Sequence, residues 1–349
     1  VDLISIIIPA YNAAHTIGRT LASAQGQVAV ECEIIVVDDG STDSTRVLVE
    51  TIATRDPRIR LLAQDNGGVA RARNLGVSKA RGNFIAPLDA DDLWHPEKLS
   101  RQLARLNESG PDVALAYNWF RRIDHNDMVI SGSPHPRLEG RVFHRHLAWN
   151  FISNGSTPLI RSKALDSIGY DASLRDRGLQ GCEDYMLQLQ LSRRFNFACV
   201  PAFLTGYRRS PGAMSTHVER MIRSHIAMFE IVAGEVGGNA LPIIHRQLAR
   251  LHVELARNCL GKLNVRGAAI HLRRALAQDG AGTAQSLKRE LRRSVSSTPY
   301  ARTSGKPFHA FTPEALDGPW IAMRSTEALG ELAALDLGGY PASGQGQKE

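Results

Sequence analysis

Four short, β-branched apolar runs constrain this chain most: ISIIIP (4–9), CEIIVV (32–37), IRLLA (59–63) and NFIAPL (83–88), each followed by a polar turn. Such continuous runs read as strands buried on both faces, the pattern of a parallel sheet. Helical stretches at about 14–25, 43–55 and 69–80 separate them, so strand and helix alternate as in an open doubly wound sheet. In such sheets ligands bind outside the carboxyl ends of the strands, which directs attention to the four turns. From about residue 113 the pattern shifts to extended pieces broken by Pro and Gly, VALAYNWF, MVIS, STPLI and FLTGYRR, with a helix at about 183–194. This predicts a mixed second half of the same domain.

Beyond Ser215 the chain reads as helical, with Ile244, Leu248, Leu251, Leu255 and Cys259 at helical spacing. The charge is uneven. Of a net +7 over 349 residues, residues 246–293 hold eleven Lys/Arg against three acids (Glu254, Asp279 and Glu290), a local excess of +8. Three units are expected: residues 1–216, a basic helical extension at 217–295, and a Ser-, Gly- and Pro-rich tail at 296–349, loosely ordered. The cysteines (Cys32, Cys182, Cys199 and Cys259) form no CxxC pair, and neither a signal peptide nor an apolar run of about 18 residues stands out. A cytoplasmic chain is expected, at most peripheral at the inner face of the cytoplasmic membrane.

The turns collect charge. Pro9, Tyr11 and Asn12 follow the first run. DDGSTDST (38–45) follows the second, with Ser41 placed to cap the next helix. QDNGG (64–68) opens the third helix, followed by Arg71 and Arg73; a positive helix start with arginine suits a phosphate, and a solvated surface helix is the alternative. Neither GxGxxG nor GxxxxGK[ST] is present. After the fourth run come Asp89, Ala90, Asp91 and Asp92. In an extended segment residues i and i+2 share a side, so Asp89 and Asp91 can face one hard cation, while Asp92, Leu93 and Pro96 lead into a helix. Alone, this DxD reads equally as a helix-capping acidic loop. Acids, glycines, arginines and an aromatic at one sheet end together predict a nucleoside diphosphate bridged by a divalent ion.

SIIIPAYNAAHTI, EIIVVDDGSTDST, NGGVARARNLGVSKARGNFIAPLDADD and GYDASLRDRGLQGCEDYMLQLQLSRR, in that order over about residues 3–216, resemble family 2 glycosyltransferases, inverting enzymes of the GT-A fold. The resemblance implies a Rossmann-like, mostly parallel α/β sheet flanked by helices, with the helical extension outside it. It implies that Pro9, Tyr11 and Asp39 hold the base and ribose of a nucleoside-diphosphate sugar, with Asn66, Gly67 and Arg73 lining the same pocket. Asp91 would bind Mg²⁺ or Mn²⁺ on the diphosphate, with Asp89 as its DxD partner, and Asp89 and the Ala90 backbone would meet the ribose and phosphate side. Glu183 and Asp184 match the family's acidic pair. Neighbours on a helix point about 100° apart, so one faces the acceptor; following the family, Asp184 is the base and Glu183 its support. Arg208 is expected to touch phosphate, with a weaker case for His217.

The nearest likeness is to single-sugar transferases of exopolysaccharide assembly, of the succinoglycan type, which implies a UDP-sugar donor such as UDP-glucose and a lipid-linked oligosaccharide or polysaccharide acceptor. Other acceptors (an O-antigen, a protein or a small molecule) stay open. A sugar nucleotidyltransferase would need a Gly-rich basic loop where PAYNAAHTI stands. The basic helices admit an anionic membrane surface at residues 246–293; a nucleic-acid module leaves the acids unexplained, and no nucleic acid is expected. His144 and His146 have no third ligand in view and read as solvated histidines.

Overall fold

The four apolar runs are strands. In the computed structural model, which describes residues 2–209, 217–295, 306–314 and 327–338, β1 (Leu3–Ala10), β2 (Glu31–Asp38), β3 (Ile59–Ala63) and β4 (Phe84–Pro87) lie parallel in the order β3-β2-β1-β4. Helices α1 (Ile17–Gln25), α2 (Thr45–Ala53) and α3 (Val69–Ser78) connect them. The runs are apolar without interruption because successive side chains enter different cores. Ile4, Ile6 and Ile8 pack with Ile17 and Leu21 of α1, whereas Ile7 packs with Ile35, Val37 and Ala72 of α3. The chain moves outward from β1 through β2 to β3, then returns to β1's other side with β4. That reversal opens a crevice at the carboxyl ends of β1 and β4.

The second half adds β5 (Leu93–Trp94), α4 (Lys98–Asn107), β6 (Val113–Ile123), β7 (Val129–Gly132), α5 (Phe143–Ala148), β8 (Leu159–Arg161), α6 (Ser173–Asp176), α7 (Glu183–Ser192) and β9 (Asn196–Arg208). β8 runs antiparallel to both β4 and β6, β9 is parallel to β6, and β5 and β7 pair antiparallel at the margin. The β6–β9 register slips between Asn118 and Trp119, opposite Pro201, which has no N–H to give the ladder. The sheet is therefore mixed, parallel where the βα alternation predicts it. Because β8 is antiparallel to β4, the turn that precedes β8 arrives at the crevice.

The extension is helical: α8 (Val218–Glu235), α9 (Ala240–Gly261), α10 (Val265–Gln278) and α11 (Gly280–Val295). The stripe Ile244, Leu248, Leu251 and Leu255 is buried with Ile222, Ile226 and Phe229 of α8 and with Leu147, Tyr185, Met186 and Leu189 of α5 and α7. Cys259, expected on the same stripe, is only half-buried. The extension thus shares a core with α7. Two pieces of the tail pack on the body. Phe308 and Phe311 join Leu93, Ile123 and Val129, and Asp336 of α12 (Glu327–Leu337) accepts the backbone N–H of His144 at 2.7 Å. The remaining tail residues lie outside the described ones.

His144 and His146 depart from expectation. Both are buried on α5. His144 faces Asp336, while His146 bonds Gln188 at 3.1 Å against the Phe151 and Tyr185 rings. Burial pushes His146 down to about 3, keeping it neutral.

Candidate active site

The turns after β1 and β2 are tied together. Asn12 takes a left-handed backbone (φ 48°), its N–H donates to Ser41 Oγ at 3.0 Å, and its Oδ1 accepts from the Thr42 N–H at 2.8 Å. Ser41 is therefore not the cap of α2. The residue before α2 is Ser44, whose side chain makes no cap bond, and Asp43 accepts the Thr45 N–H at 2.9 Å and the Ala14 N–H at 3.1 Å. Pro9 pairs opposite Val37, one residue before β1 ends at Ala10, and Tyr11 stands 52% exposed at the mouth.

Asp39 is buried and its carboxylate is fully engaged. It accepts from the Gly67 N–H (2.7 Å), the Gly68 N–H (2.8 Å) and Gln64 Nε2 (2.7 Å), while Asn66 Nδ2 donates to the Asp39 carbonyl at 2.9 Å. The amides at the start of α3, expected to be open for a phosphate, are satisfied by Asp39. Gly68 has φ 88°, and a Cβ there would meet Arg175 Cδ at 2.6 Å, so only glycine fits. Arg175 of α6 donates to the Asn66 carbonyl at 3.0 Å and to its side-chain oxygen. Arg71 points outward to Asp176 at 2.9 Å, which separates it from Arg73.

Arg73 is the hub. It is buried, donates to the Asp89 carboxylate, and lies over the Tyr170 ring, 5.1 Å from its centroid. Burial opposes its charge, but Asp89, Tyr170, Asp184 and Glu183 hold it protonated. Its Nε carries no hydrogen bond among the described residues. Close approach is permitted by Gly155, where a Cβ would stand 2.8 Å from an Arg73 terminal nitrogen.

Asp89 and Asp91 do not lie on an extended segment. The Asp92 N–H donates to the Asp89 carbonyl at 3.0 Å, making a tight turn that still leaves the two carboxyls as electrostatic neighbours. The Asp89 N–H donates to Ser156 Oγ at 2.9 Å, and the Ala90 carbonyl accepts from Thr20 Oγ1 at 3.0 Å. The Asp91 carboxyl meets no side-chain donor among the described residues. Burial and the Asp89 charge push it up to about 6, with Arg208 opposing.

Asp92 corrects the helix-cap expectation. It is fully buried and accepts from the Arg208 N–H (2.8 Å) and Ser156 Oγ (2.6 Å), whereas the residue before α4 is Glu97. Burial and the neighbouring Asp91 and Asp89 push its carboxyl well above the usual range. Arg208 also departs from expectation. Its buried guanidinium donates to the Asp91 carbonyl (2.6 Å), the Asp124 carbonyl and the Asp127 carboxylate. It holds the 89–92 turn and is not open to a phosphate. His217 lies exposed at the start of α8.

Glu183 and Asp184 begin α7 and meet different surroundings. Glu183 is buried, and its carboxylate accepts the Gly181 N–H at 2.8 Å. Asp184 is half-buried and bonds no side chain among the described residues. Burial raises its pKa, Arg73 opposes the rise and Asp89 adds to it. Asp184, beside Arg73, and Asp91, beside Asp89, thus meet no side-chain donor among the described residues. Sequence reasoning missed Tyr170, Arg175 and the Asn154–Gly155–Ser156 turn. The last had a signal, an Asn-Gly-Ser string before a strand.

Which metal the donors suit follows from their chemistry. Asp91 and Asp89 offer hard carboxylate oxygens, and an uncommitted acid beside a second one is a place a dication would stabilise. Among the described residues no three His, Cys, Asp or Glu side chains gather into a metal group. The pair fits a magnesium-like ion that takes its other ligands from phosphate and water.

Comparison with known proteins agrees with the geometry. Residues 5–167 match the family model described as glycosyl transferase family 2. A succinoglycan biosynthesis protein, ExoO, from Rhizobium meliloti is 44% identical over 113 residues, 32% of each chain. The UDP-Glc:alpha-D-GlcNAc-diphosphoundecaprenol beta-1,3-glucosyltransferase WfgD of Escherichia coli is 38% identical over 128 residues, 36% of this chain and 49% of that protein. The alignments thus span a third to a half of these two relatives. S. aureus TarS 1–349 in complex with UDP-GlcNAc superposes with a TM-score of 0.54 at 16% identity, over 87% of this chain and 95% of that one. The mannosyltransferase PcManGT from Pyrobaculum calidifontis, in complex with GDP-Man and Mn²⁺, gives 0.54 at 19% over 84% and 81%. Over residues 5–167 this chain is thus similar to glycosyl transferase family 2, on a fold shared with solved GT-A glycosyltransferases.

Proposed function

We propose that the chain is an inverting glycosyltransferase that moves a sugar, glucose from UDP-glucose in the first instance, to a lipid-linked oligosaccharide or polysaccharide acceptor in cell-surface glycan assembly. One observation carries the reading: at the crevice of the sheet two acids meet no side-chain donor among the described residues, Asp184 beside the buried Arg73 and Asp91 beside Arg73's partner Asp89. Asp91, with Asp89, would hold Mg²⁺ or Mn²⁺, which when bound supplies a Lewis acid that neutralises charge on the departing nucleoside diphosphate. Asp184 accepts the proton of the acceptor hydroxyl as its oxygen attacks the anomeric carbon from the side opposite the leaving group. Glu183 fixes the turn before α7, and Arg73, paired with Asp89, opposes the burial that raises the Asp184 pKa. Pro9 and Tyr11 at the rim, with Asn66 and Gly67 on the turn that Asp39 braces, line the base and ribose side; the Ala90 backbone lies between the metal acids.

The donor and acceptor are supported by the relatives' names: a UDP-glucose transferase to a diphosphoundecaprenol sugar and a succinoglycan biosynthesis protein. No helix among the described residues is long and apolar enough to cross a membrane; a cytoplasmic site of action is proposed with the function. The test is a panel of UDP- and GDP-sugars with Mn²⁺ or Mg²⁺, scored by nucleoside diphosphate release. The account predicts metal-dependent UDP release, enhanced by a lipid-linked acceptor extract. No release from any donor in the presence of metal and extract contradicts it.

A further inference from the structure

The basic stretch 246–293 divides once its partners are known. Arg246 pairs with Asp279, Arg250 with Glu254, Arg257 with Glu290 and Lys262 with Glu219. Arg266, Arg273 and Arg274, all exposed on α10, have no carboxylate partner among the described residues. Apolar side chains stand in water beside them. Leu263 is 89% exposed and Val265 69%, and Leu260, Ile270 and Leu276 are exposed as well. The opposite side of α10 is occupied: Ala268, His271 and Ala275 are buried, Ala275 against Ala249 and Val253 of α9. At about 100° per residue, Val265, Ala269 and Leu276 fall together on the outer side, with Arg266 and Arg273 beside them.

Leu263 adds a second, independent observation. It follows α9 and its C-cap Lys262 with φ 59°, the left-handed position that glycine or asparagine usually takes at a helix end. A leucine there is disfavoured by its Cβ and, at this exposure, gains nothing from packing. It has the largest exposure of the exposed large hydrophobic residues described. The fold has no use for this side chain.

We infer that the α9–α10 turn and the outer face of α10 dock on an anionic lipid bilayer. Leu260, Leu263 and Val265 enter the boundary between headgroups and acyl chains, and Arg266, Arg273 and Arg274 lie at the lipid phosphates. Charge complementarity selects the occupant, since residues 255–278 contain five Lys/Arg and no acid. The shared core of α9 with α7 then fixes the attitude of Asp184 to the membrane. This docking does not depend on the proposed reaction and is read without donor or acceptor.

The full chain is tested by flotation with vesicles of phosphatidylcholine alone or with roughly one third phosphatidylglycerol, at low and high salt. Binding is expected on the anionic vesicles only, weakened by salt. Leu263→Gly should lower the partition by about ten-fold or more, the loss of one leucine from an apolar environment, while its thermal midpoint stays level or rises because glycine accepts the turn. Leu263→Asn, also suited to the left-handed position, repeats the test if the glycine variant expresses poorly. Equal binding to neutral and anionic vesicles, no binding by the full chain, or wild-type partition by folded Leu263→Gly or Leu263→Asn overturns the inference.

Discussion

The turn after β2 and the turn after β4 end neighbouring parts of one sheet, and both carry consecutive aspartates, yet they use them oppositely. After β2, Asp39 gives its carboxylate to two glycine amides and a glutamine, and Asp38 Oδ1 accepts the Ser41 N–H at 3.1 Å. After β4, Asp92 alone is committed in that way, whereas Asp91, beside Asp89, meets no side-chain donor among the described residues and is pushed up to about 6. An acid whose lone pairs are filled by backbone amides builds a rigid turn. An acid left half-buried beside another acid stores an unmet demand for positive charge, which a proton or a dication can meet. Asp184 belongs to this second class, with an acceptor proton in place of a metal.

The comparison breaks most visibly at Asp184. Asp184→Asn should reduce transfer by about 10²–10⁴-fold, the usual contribution of a positioned base, with donor affinity unchanged; equal loss of donor affinity would remove the base assignment. Its pH profile sharpens the point. Burial raises the Asp184 pKa, so the ionised, proton-accepting form is lost as pH falls at a higher pH than for an ordinary aspartate. At saturating metal and donor, kcat should drop on acidification with a midpoint above the usual carboxylate range, and a flat profile down to that range would count against the assignment. The committed class should respond through stability. Asp39→Asn leaves one glycine amide facing an amide nitrogen, at a cost of about 1–3 kcal/mol, read as a lowered denaturation midpoint with a smaller loss of donor affinity. An unchanged midpoint would mean that Asp39 does not brace the turn.

Most of the first half was legible in the sequence because the information is local. β-branched runs buried on both faces announce parallel strands, and the turns between them must then gather at one sheet end, which brings Asp39, Asn66, Gly67, Arg73, Asp89 and Asp91 together. What each acid does was not legible, because its partner comes from far along the chain. Asp92 meets Arg208 across 116 positions, and His144 meets Asp336 across 192. No spacing rule links such pairs. Arg208 reads as a phosphate ligand by position but is enclosed by the 124–127 turn, and Ser41 reads as a cap although Asp43 takes the Thr45 amide. Helix spacing separates the surroundings of Glu183 and Asp184, since adjacent helix residues point about 100° apart, but not their roles.

A metal role for Asp91 rests on its lacking a side-chain donor among the described residues while standing beside Asp89. Its most direct test is calorimetric titration of Mn²⁺ into the chain with UDP present, for the wild type and Asp91→Asn, with Asp39→Asn as the committed counterpart. The account predicts saturable Mn²⁺ binding in the wild type and in folded Asp39→Asn, and its loss in Asp91→Asn without loss of the fold. Wild-type Mn²⁺ affinity in Asp91→Asn would contradict it.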